Sequence, residues 1–228
     1  MTVKVAIIGG GPAGAVCSLH LARAGIDVLM FERDPRREKP CGGGLTLRAI
    51  RALPFWRELQ IVESKVHQLC LISPSRRRID LELENPIRIV SRRHLDGALR
   101  RLAISAGATL IEESVRKPLP ARKGGWRING HHADIVVGAG GINDPVARYH
   151  GLSFTRERRG QAVGYFVRGI FRSVLSADFF PAYGDMHGGF PGRIMPVWGS
   201  NCWVVNSSRN GPGPCLTDLS GRIFITIS

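Results

Sequence analysis

Val5-Ala6-Ile7-Ile8-Gly9-Gly10-Gly11-Pro12-Ala13-Gly14 opens the chain, and the acidic residue Glu32 follows 18 positions after the last of these glycines. Val3 to Ile8 is a short β-branched apolar run, and the glycines punctuate it sharply. A helix is predicted next: Pro12 suits a first helical turn, Ala15 to Ala24 are helix-forming, and Gly25 stands where a left-handed cap ends a helix. Ile26 to Glu32 then reads as a second strand. Both strands are apolar throughout, as expected where a parallel sheet is covered on both faces.

Gly9, Gly11 and Gly14 make the pattern G-x-G-x-x-G between a strand and a helix. Gly9 permits the tight turn, Gly11 lets the backbone approach a pyrophosphate, and Gly14 allows close helix-to-strand packing. The helix N-terminus, entered through Pro12 and Ala13, stabilises the anion, and Glu32 is placed to accept hydrogen bonds from ribose hydroxyls. An α/β, Rossmann-like dinucleotide-binding domain follows. The motif alone does not separate FAD from NAD.

Downstream, Cys41 to Arg57 reads as a loop running into a short helix, and Val66 to Ser73 with Arg78 to Leu83 as a hairpin around Pro74-Ser75-Arg76. His94 to Ala106 carries apolar residues at Leu95, Leu99 and Leu102 or Ala103, which predicts an amphipathic helix ended by Gly107. Ala108 to Glu113, Trp126 to Asn129 and Ile135 to Gly138 are predicted strands, the last apolar enough to be central. From Gln161 the pattern changes to short strands with Tyr165, Phe166, Phe179, Phe180, Tyr183, Phe190, Trp198 and Trp203, which suggests an antiparallel sheet walling an apolar pocket.

With 43% hydrophobic and 22% charged residues the chain is ordinary globular material. The charge of +14 is mostly arginine, in short groups such as Arg36-Arg37, Arg76-Arg77-Arg78, Arg92-Arg93 and Arg100-Arg101. Such a surface attracts anions: a cofactor pyrophosphate, an isoprenoid diphosphate or acidic lipid headgroups. No aromatic ladder or nucleic-acid module accompanies it, so nucleic-acid binding is not expected. The 5 cysteines form no CxxC pair and are odd in number, which signals neither a zinc site nor a disulfide framework and fits a reducing cytoplasmic compartment. His94, His131 and His132 lack partners at metal spacing, and no metal site is predicted. No apolar run is long enough to span a bilayer, which leaves peripheral contact with a membrane open.

The opening string, followed by Phe31-Glu32-Arg33 and by Lys39-Pro40-Cys41-Gly42-Gly43-Gly44-Leu45, resembles the start of geranylgeranyl reductases and related FAD-dependent oxidoreductases. Pro-Cys-Gly-Gly-Gly is the specific part. Val90-Ser91-Arg92-Arg93-His94-Leu95-Asp96 with Leu99 is similar to the family's second flavin motif, which implies that Arg92 contacts the flavin side of the site. Asp134-Ile135-Val136-Val137-Gly138-Ala139-Gly140-Gly141 resembles the later Gly-Ala-Asp-Gly segment, with Gly140 where the aspartate is usual. The likeness covers residues 1 to about 150 well and is loose over Phe190 to Trp203.

The resemblance implies a fold of the glutathione-reductase/p-hydroxybenzoate-hydroxylase type: an FAD-binding domain over residues 1–160, a hairpin at about 64–85 on the substrate side, and an incomplete antiparallel substrate domain over 161–228. The family's closing Gly-Asp motif is expected further along than residue 228, which makes the chain a C-terminal truncation, and Gly184-Asp185 reads as a turn. Implied FAD contacts are Gly9, Gly11, Pro12, Ala13, Gly14, Glu32, Arg33, Cys41, Gly42, Gly43, Arg92, Gly138 and Gly141. Cys41 is either a thiol beside the flavin ring, and so a catalytic candidate, or a small buried loop residue.

The implied chemistry is hydride transfer through flavin N5 to a carbon–carbon double bond of a prenyl or other small apolar substrate, with NAD(P)H or a ferredoxin-like donor as reductant. Two other outcomes stay open: a flavin monooxygenase or halogenase, and a non-catalytic fragment that still binds FAD. A basic protein that binds acidic membrane or nucleic acid without flavin is the remaining alternative.

Overall fold

The computed structural model describes residues 3–39, 41–122, 124–153 and 174–178, with the backbone of short strand pieces between Arg193 and Phe224. In chain order the elements are β1 (Lys4–Ile8), α1 (Pro12–Arg23), β2 (Asp27–Phe31), β3 (Gly44–Leu45), α2 (Leu47–Arg51), β4 (Ser64–Ile72), β5 (Arg78–Ile89) and α3 (Arg92–Ser105). They continue with β6 (Thr109–Ile111), β7 (Leu119–Pro120), β8 (Trp126–Ile128), β9 (His131–Ala133), β10 (Ile135–Gly138), α4 (Pro145–Tyr149) and β11 (Val174–Asp178). Two compact units result. The first gathers residues up to Lys39, Pro54–Val62 and Ser91 onward to the end of α4, and the second gathers the segment to Leu53, Glu63–Val90 and β11.

The first unit is built on a parallel sheet of order β10-β1-β2-β6. Counted along the chain, its strands run 3-2-1-4 from β6, the doubly wound order in which the direction of winding reverses between the first and fourth strands. A crevice therefore opens at the carboxyl ends of β1 and β10, where the G-x-G-x-x-G turn lies. Register at the other end is held by Asp134, whose carboxylate accepts the Lys4 N–H at 2.8 Å while its own N–H donates to the Lys4 carbonyl at 2.9 Å.

Side-chain alternation divides the core. Ala6, Ile8, Leu29 and Phe31 cluster with Ile128, Ala133 and Val146 on the face covered by the small antiparallel sheet β7-β8-β9. Val5, Ile7, Val28 and Met30, offset by one residue, are buried on the opposite face, where α1 and α3 pack with Ala15, Leu19, Leu99 and Ala103. α3 begins two residues earlier than its apolar spacing predicts because the Ser91 hydroxyl caps it, accepting the His94 N–H at 3.3 Å.

One expectation fails. Ile135 to Gly138, apolar enough to suggest a central strand, is the end strand among the described residues, and Ile135 is 49% exposed. Its side chains meet α4, and Val136 packs against the core cluster of Ala6 and Ile8.

In the second unit β4 and β5 form the hairpin with an irregularity at Val66/Gln68, longer than predicted because pairing runs on to Ile89. Further along, Arg193–Ile194 pairs with Val205–Asn206, Val197–Trp198 with Asn201–Cys202 and Leu216–Thr217 with Ile223–Phe224, all antiparallel as expected after Gln161. β3 joins the hairpin antiparallel beside β5 and β11 parallel beside β4. Val66 and Ile89 are its small core, and Glu63 accepts the Arg88 guanidinium at 2.7 Å. The aromatic side chains expected to wall a pocket, and Gly184-Asp185, lie outside the described residues.

A methyl group on Gly14 would sit 1.8 Å from the Gly9 carbonyl oxygen. Gly14→Ala is therefore expected to destabilise the first unit by about 3 kcal/mol. Thermal unfolding followed by circular dichroism checks this: a clear fall in Tm is expected, and an unchanged Tm would contradict the packing described.

Candidate functional site

β1 delivers its chain into the turn at Gly9, where φ is +113°, a conformation open to glycine and strained for other residues. The turn is packed from below: a Cβ on Gly9 would lie 2.5 Å from the Ala139 carbonyl oxygen, and the Ala139 N–H donates to the Ile8 carbonyl at 2.8 Å. Gly10 is equally constrained, since a Cβ there would meet the Glu32 Cβ at 2.8 Å.

Gly11 differs from its neighbours. Its φ of −69° and ψ of −176° are ordinary extended values, and a Cβ built on it meets nothing within 4 Å. Neither backbone conformation nor packing among the described residues requires glycine here. What remains is the space in front of the α1 N-terminus, which has no acidic residue in its first turn. That is an open cradle of the shape a pyrophosphate fills, with free N–H groups and the positive helix end behind it.

Glu32, at the end of β2, is half-buried and turned toward this loop. Its Oε2 accepts the Gly10 N–H at 2.9 Å and its Oε1 the Asp34 N–H at 3.1 Å. A carboxylate offers about four acceptor positions, so capacity remains for ribose hydroxyls. Pro12 opens α1, Ala13 is exposed beside it, and Arg33 is exposed after Glu32.

Arg92, the expected flavin contact, starts α3 and makes a bidentate pair with Asp96 one turn on, at 2.9 and 3.0 Å. The next residue of that row is Arg100, which sequence reading recorded only as part of a basic pair. It is 6% exposed, donates to the Gly10 carbonyl at 2.8 Å and also to the Pro35 carbonyl. Burial lowers the Arg100 pKa from its usual value, with Asp96 and Glu32 opposing that shift. The i, i+4, i+8 spacing of Arg92, Asp96 and Arg100 was the signal that could have found it.

Asp144 was missed as well. It caps α4 by accepting the Ala147 N–H at 2.8 Å, and its other oxygen accepts the Gly140 N–H at 2.5 Å. A carboxylate thus stands over the Gly138–Gly141 loop although position 140 has none. A Cβ on Gly138 would come within 2.4 Å of Asp144 Oδ1, so this glycine makes room for the aspartate. Gly141 has φ of +72° and answers to backbone conformation alone. Asp144-Pro145, an N-cap before an N1 proline, was the legible sign.

Cys41, Gly42 and Gly43 belong to the second unit. Cys41 is exposed, which corrects the alternative of a buried loop residue. Gly43 has φ of +65°, and a Cβ there would lie 2.0 Å from the Val90 carbonyl oxygen, so its own unit requires it. Gly42 is half-buried. Burial raises the pKa of Cys17 and of Cys70. Among the described residues no histidine, cysteine or carboxylate group forms a metal cluster, and no helix is long and apolar enough to cross a membrane.

Comparison with known proteins agrees with the cradle. The family model described as FAD binding domain matches residues 2–89, the stretch that holds the glycine turn and Glu32. The chain is 31% identical over 168 residues to geranylgeranyl diphosphate reductase of Synechocystis sp., covering 65% of this chain and 41% of that protein. The chain is thus similar in sequence to geranylgeranyl diphosphate reductases. The same enzyme of Rhodobacter capsulatus is 32% identical over 238 residues, 97% of this chain and 57% of the relative. The chain thus spans about half the length of the curated relatives it matches.

Among solved structures, a geranylgeranyl bacteriochlorophyll reductase-like protein from Thermoplasma acidophilum superposes with a TM-score of 0.70 at 20% identity, over 91% of this chain and 57% of that one. A flavin-dependent brominase superposes at 0.60 and 17% identity, over 91% and 56%. The fold is the one shared with these two proteins, and FAD is the cofactor that fits both the cradle and the FAD binding domain match.

Removing the Asp144 carboxylate leaves the α4 cap and the Gly140 N–H unserved. Asp144→Ala is expected to cost about 2 kcal/mol, with Asp144→Asn milder because its amide oxygen still caps. Denaturant unfolding of the two variants measures the difference, and equal stabilities for all three proteins would contradict the clamp.

Proposed function

We propose that the chain is the flavin-binding part of an FAD-dependent oxidoreductase that reduces carbon–carbon double bonds of a prenyl or similarly apolar substrate. The observation that carries the cofactor half of this reading is Gly11, a glycine that conformation and packing among the described residues do not explain. The reaction half is supported by the sequence similarity to geranylgeranyl diphosphate reductases. When bound, FAD supplies the two-electron chemistry.

The protein's own share is positional. Gly9 and Gly14 set the turn, the α1 N-terminus and Gly11 receive the pyrophosphate, and Glu32 holds the loop through Gly10 while keeping acceptors for ribose. Arg100 ties the Gly10 carbonyl to α3, and Asp144 fixes the neighbouring loop. Cys41, exposed in the second unit, stays a candidate for contact with the flavin side, as do Gly42, Gly43 and Arg92. The substrate is apolar in this reading and the reductant external. Cytoplasmic location with peripheral membrane contact is part of the same proposal.

The brominase likeness keeps oxygen-dependent flavin chemistry as the second reading. One experiment separates them. The FAD-loaded chain is reduced with dithionite under argon, mixed with geranylgeranyl diphosphate, and the products are weighed by mass spectrometry. Gain of a pair of hydrogens per double bond is expected. Unchanged prenyl substrate, with rapid oxygen uptake once air is admitted, would contradict double-bond reduction and favour the second reading.

A further inference from the structure

Three basic pairs that are scattered in sequence, Arg36-Arg37, Arg92-Arg93 and Arg100-Arg101, each send a member to one place. Arg36, Arg93 and Arg101 line a cavity of about 320 Å³ in the first unit, with His94, Ile61 and Gly97 among its other walls. Among the described residues none of the three guanidinium groups has a carboxylate partner within ion-pair distance.

The acids close in sequence are committed elsewhere. Asp34 accepts the Arg36 backbone N–H at 3.2 Å, and Glu38 accepts the Ser91 hydroxyl at 2.7 Å and the Arg93 backbone N–H at 3.0 Å. Asp96 is held by Arg92. Like charges gathered without a counter-charge repel, and an anion in their midst removes that cost.

Gly97 lines the same pocket. It lies inside α3, where glycine weakens a helix, and its backbone does not need glycine's freedom. A Cβ there would stand 3.4 Å from Arg101 Nη1, which places Gly97 directly beneath that guanidinium.

The pocket is separate from the cofactor cradle. Arg92, Asp96 and Arg100 make the row of α3 that faces Gly10, while Arg93, Gly97 and Arg101 make the next row, about 100° around the helix. Guanidinium forks suit phosphate oxygens above other anions.

We propose that the cavity lined by Arg36, Arg93 and Arg101 is a second anion site that takes the phosphate or diphosphate group of a ligand other than FAD. That chemistry has two sources in a prenyl reductase: the 2′-phosphate of a pyridine-nucleotide reductant and the diphosphate of the substrate. The choice between these two sources rests on the proposed reductase function, while the site itself consists of residues distinct from the cradle.

Calorimetric titration at low salt tests it, with 2′,5′-ADP, 5′-AMP and inorganic pyrophosphate as probes on the FAD-loaded chain. Loss of each arginine is expected to weaken binding about tenfold, so Arg93→Gln with Arg101→Gln loses about a hundredfold while flavin absorbance and Tm hold. Gly97→Glu, which brings a carboxylate to Arg101, is expected to do the same by another route.

Preference for 2′,5′-ADP over 5′-AMP and pyrophosphate assigns the site to a phosphorylated nucleotide, and preference for pyrophosphate assigns it to a diphosphate substrate. Binding that the variants leave unchanged, absence of binding for every probe, or displacement of the probe by added FAD would overturn the proposal. A chain that takes up no flavin contradicts the proposed function instead, and the same titrations on the apo chain still decide the anion site.

Discussion

Everything in the first unit hangs on how closely the Gly9–Gly14 turn is packed. The Gly9 carbonyl oxygen lies against the Cα of Gly14, and the Ala139–Gly140 segment lies against Gly9, so two crossing chains and a helix start share space with no room for a Cβ. Close packing of this kind is unforgiving: interiors do not yield, and small errors in position carry to whatever the turn holds. It fixes where the α1 N-terminus points, which strands can neighbour β1, and where Glu32 can reach the Gly10 N–H. Gly11 alone is left unfilled, and that opening is the cradle.

Charge is organised around this turn by one helix. α3 turns Arg92, Asp96 and Arg100 inward, and Arg100 satisfies carbonyls of two loops that have no strand to pair with. A buried guanidinium is expensive unless its donors are used and a carboxylate is near, and Asp96 and Glu32 meet the second condition. The adjacent row, with Arg93 and Arg101, faces a cavity. A single amphipathic helix thus braces the glycine turn through Arg100 and lines a pocket with Arg93 and Arg101 on its next row.

Much of this was legible in sequence where local rules dominate. β1, α1 and β2 are found within a residue or two of the expected spans, because the apolar runs, Pro12 and Gly25 each act on their own neighbours. Gly9, Gly11, Gly14 and Glu32 come together because their spacing encodes the turn and its acidic partner. What escaped depended on distance in the chain. Arg100 reaches back 90 residues to Gly10, and composition cannot separate such a guanidinium from a solvated one. The exposure of Ile135 reflects a sheet edge, and an apolar run carries no mark of which strands flank it. Asp144 lay behind the expectation of a carboxylate at position 140, although its cap signature was visible.

We infer that Gly11 is glycine for a ligand's sake and that the ligand is FAD. The most direct measurement is the visible absorption spectrum of the purified chain after incubation with FAD and desalting, alongside Gly11→Val and the Tm of both. A protein-bound flavin spectrum in the parent, absent in Gly11→Val at an unchanged Tm, is the expected result. A parent chain that stays colourless, or a Gly11→Val variant that binds FAD as the parent does, would contradict the account.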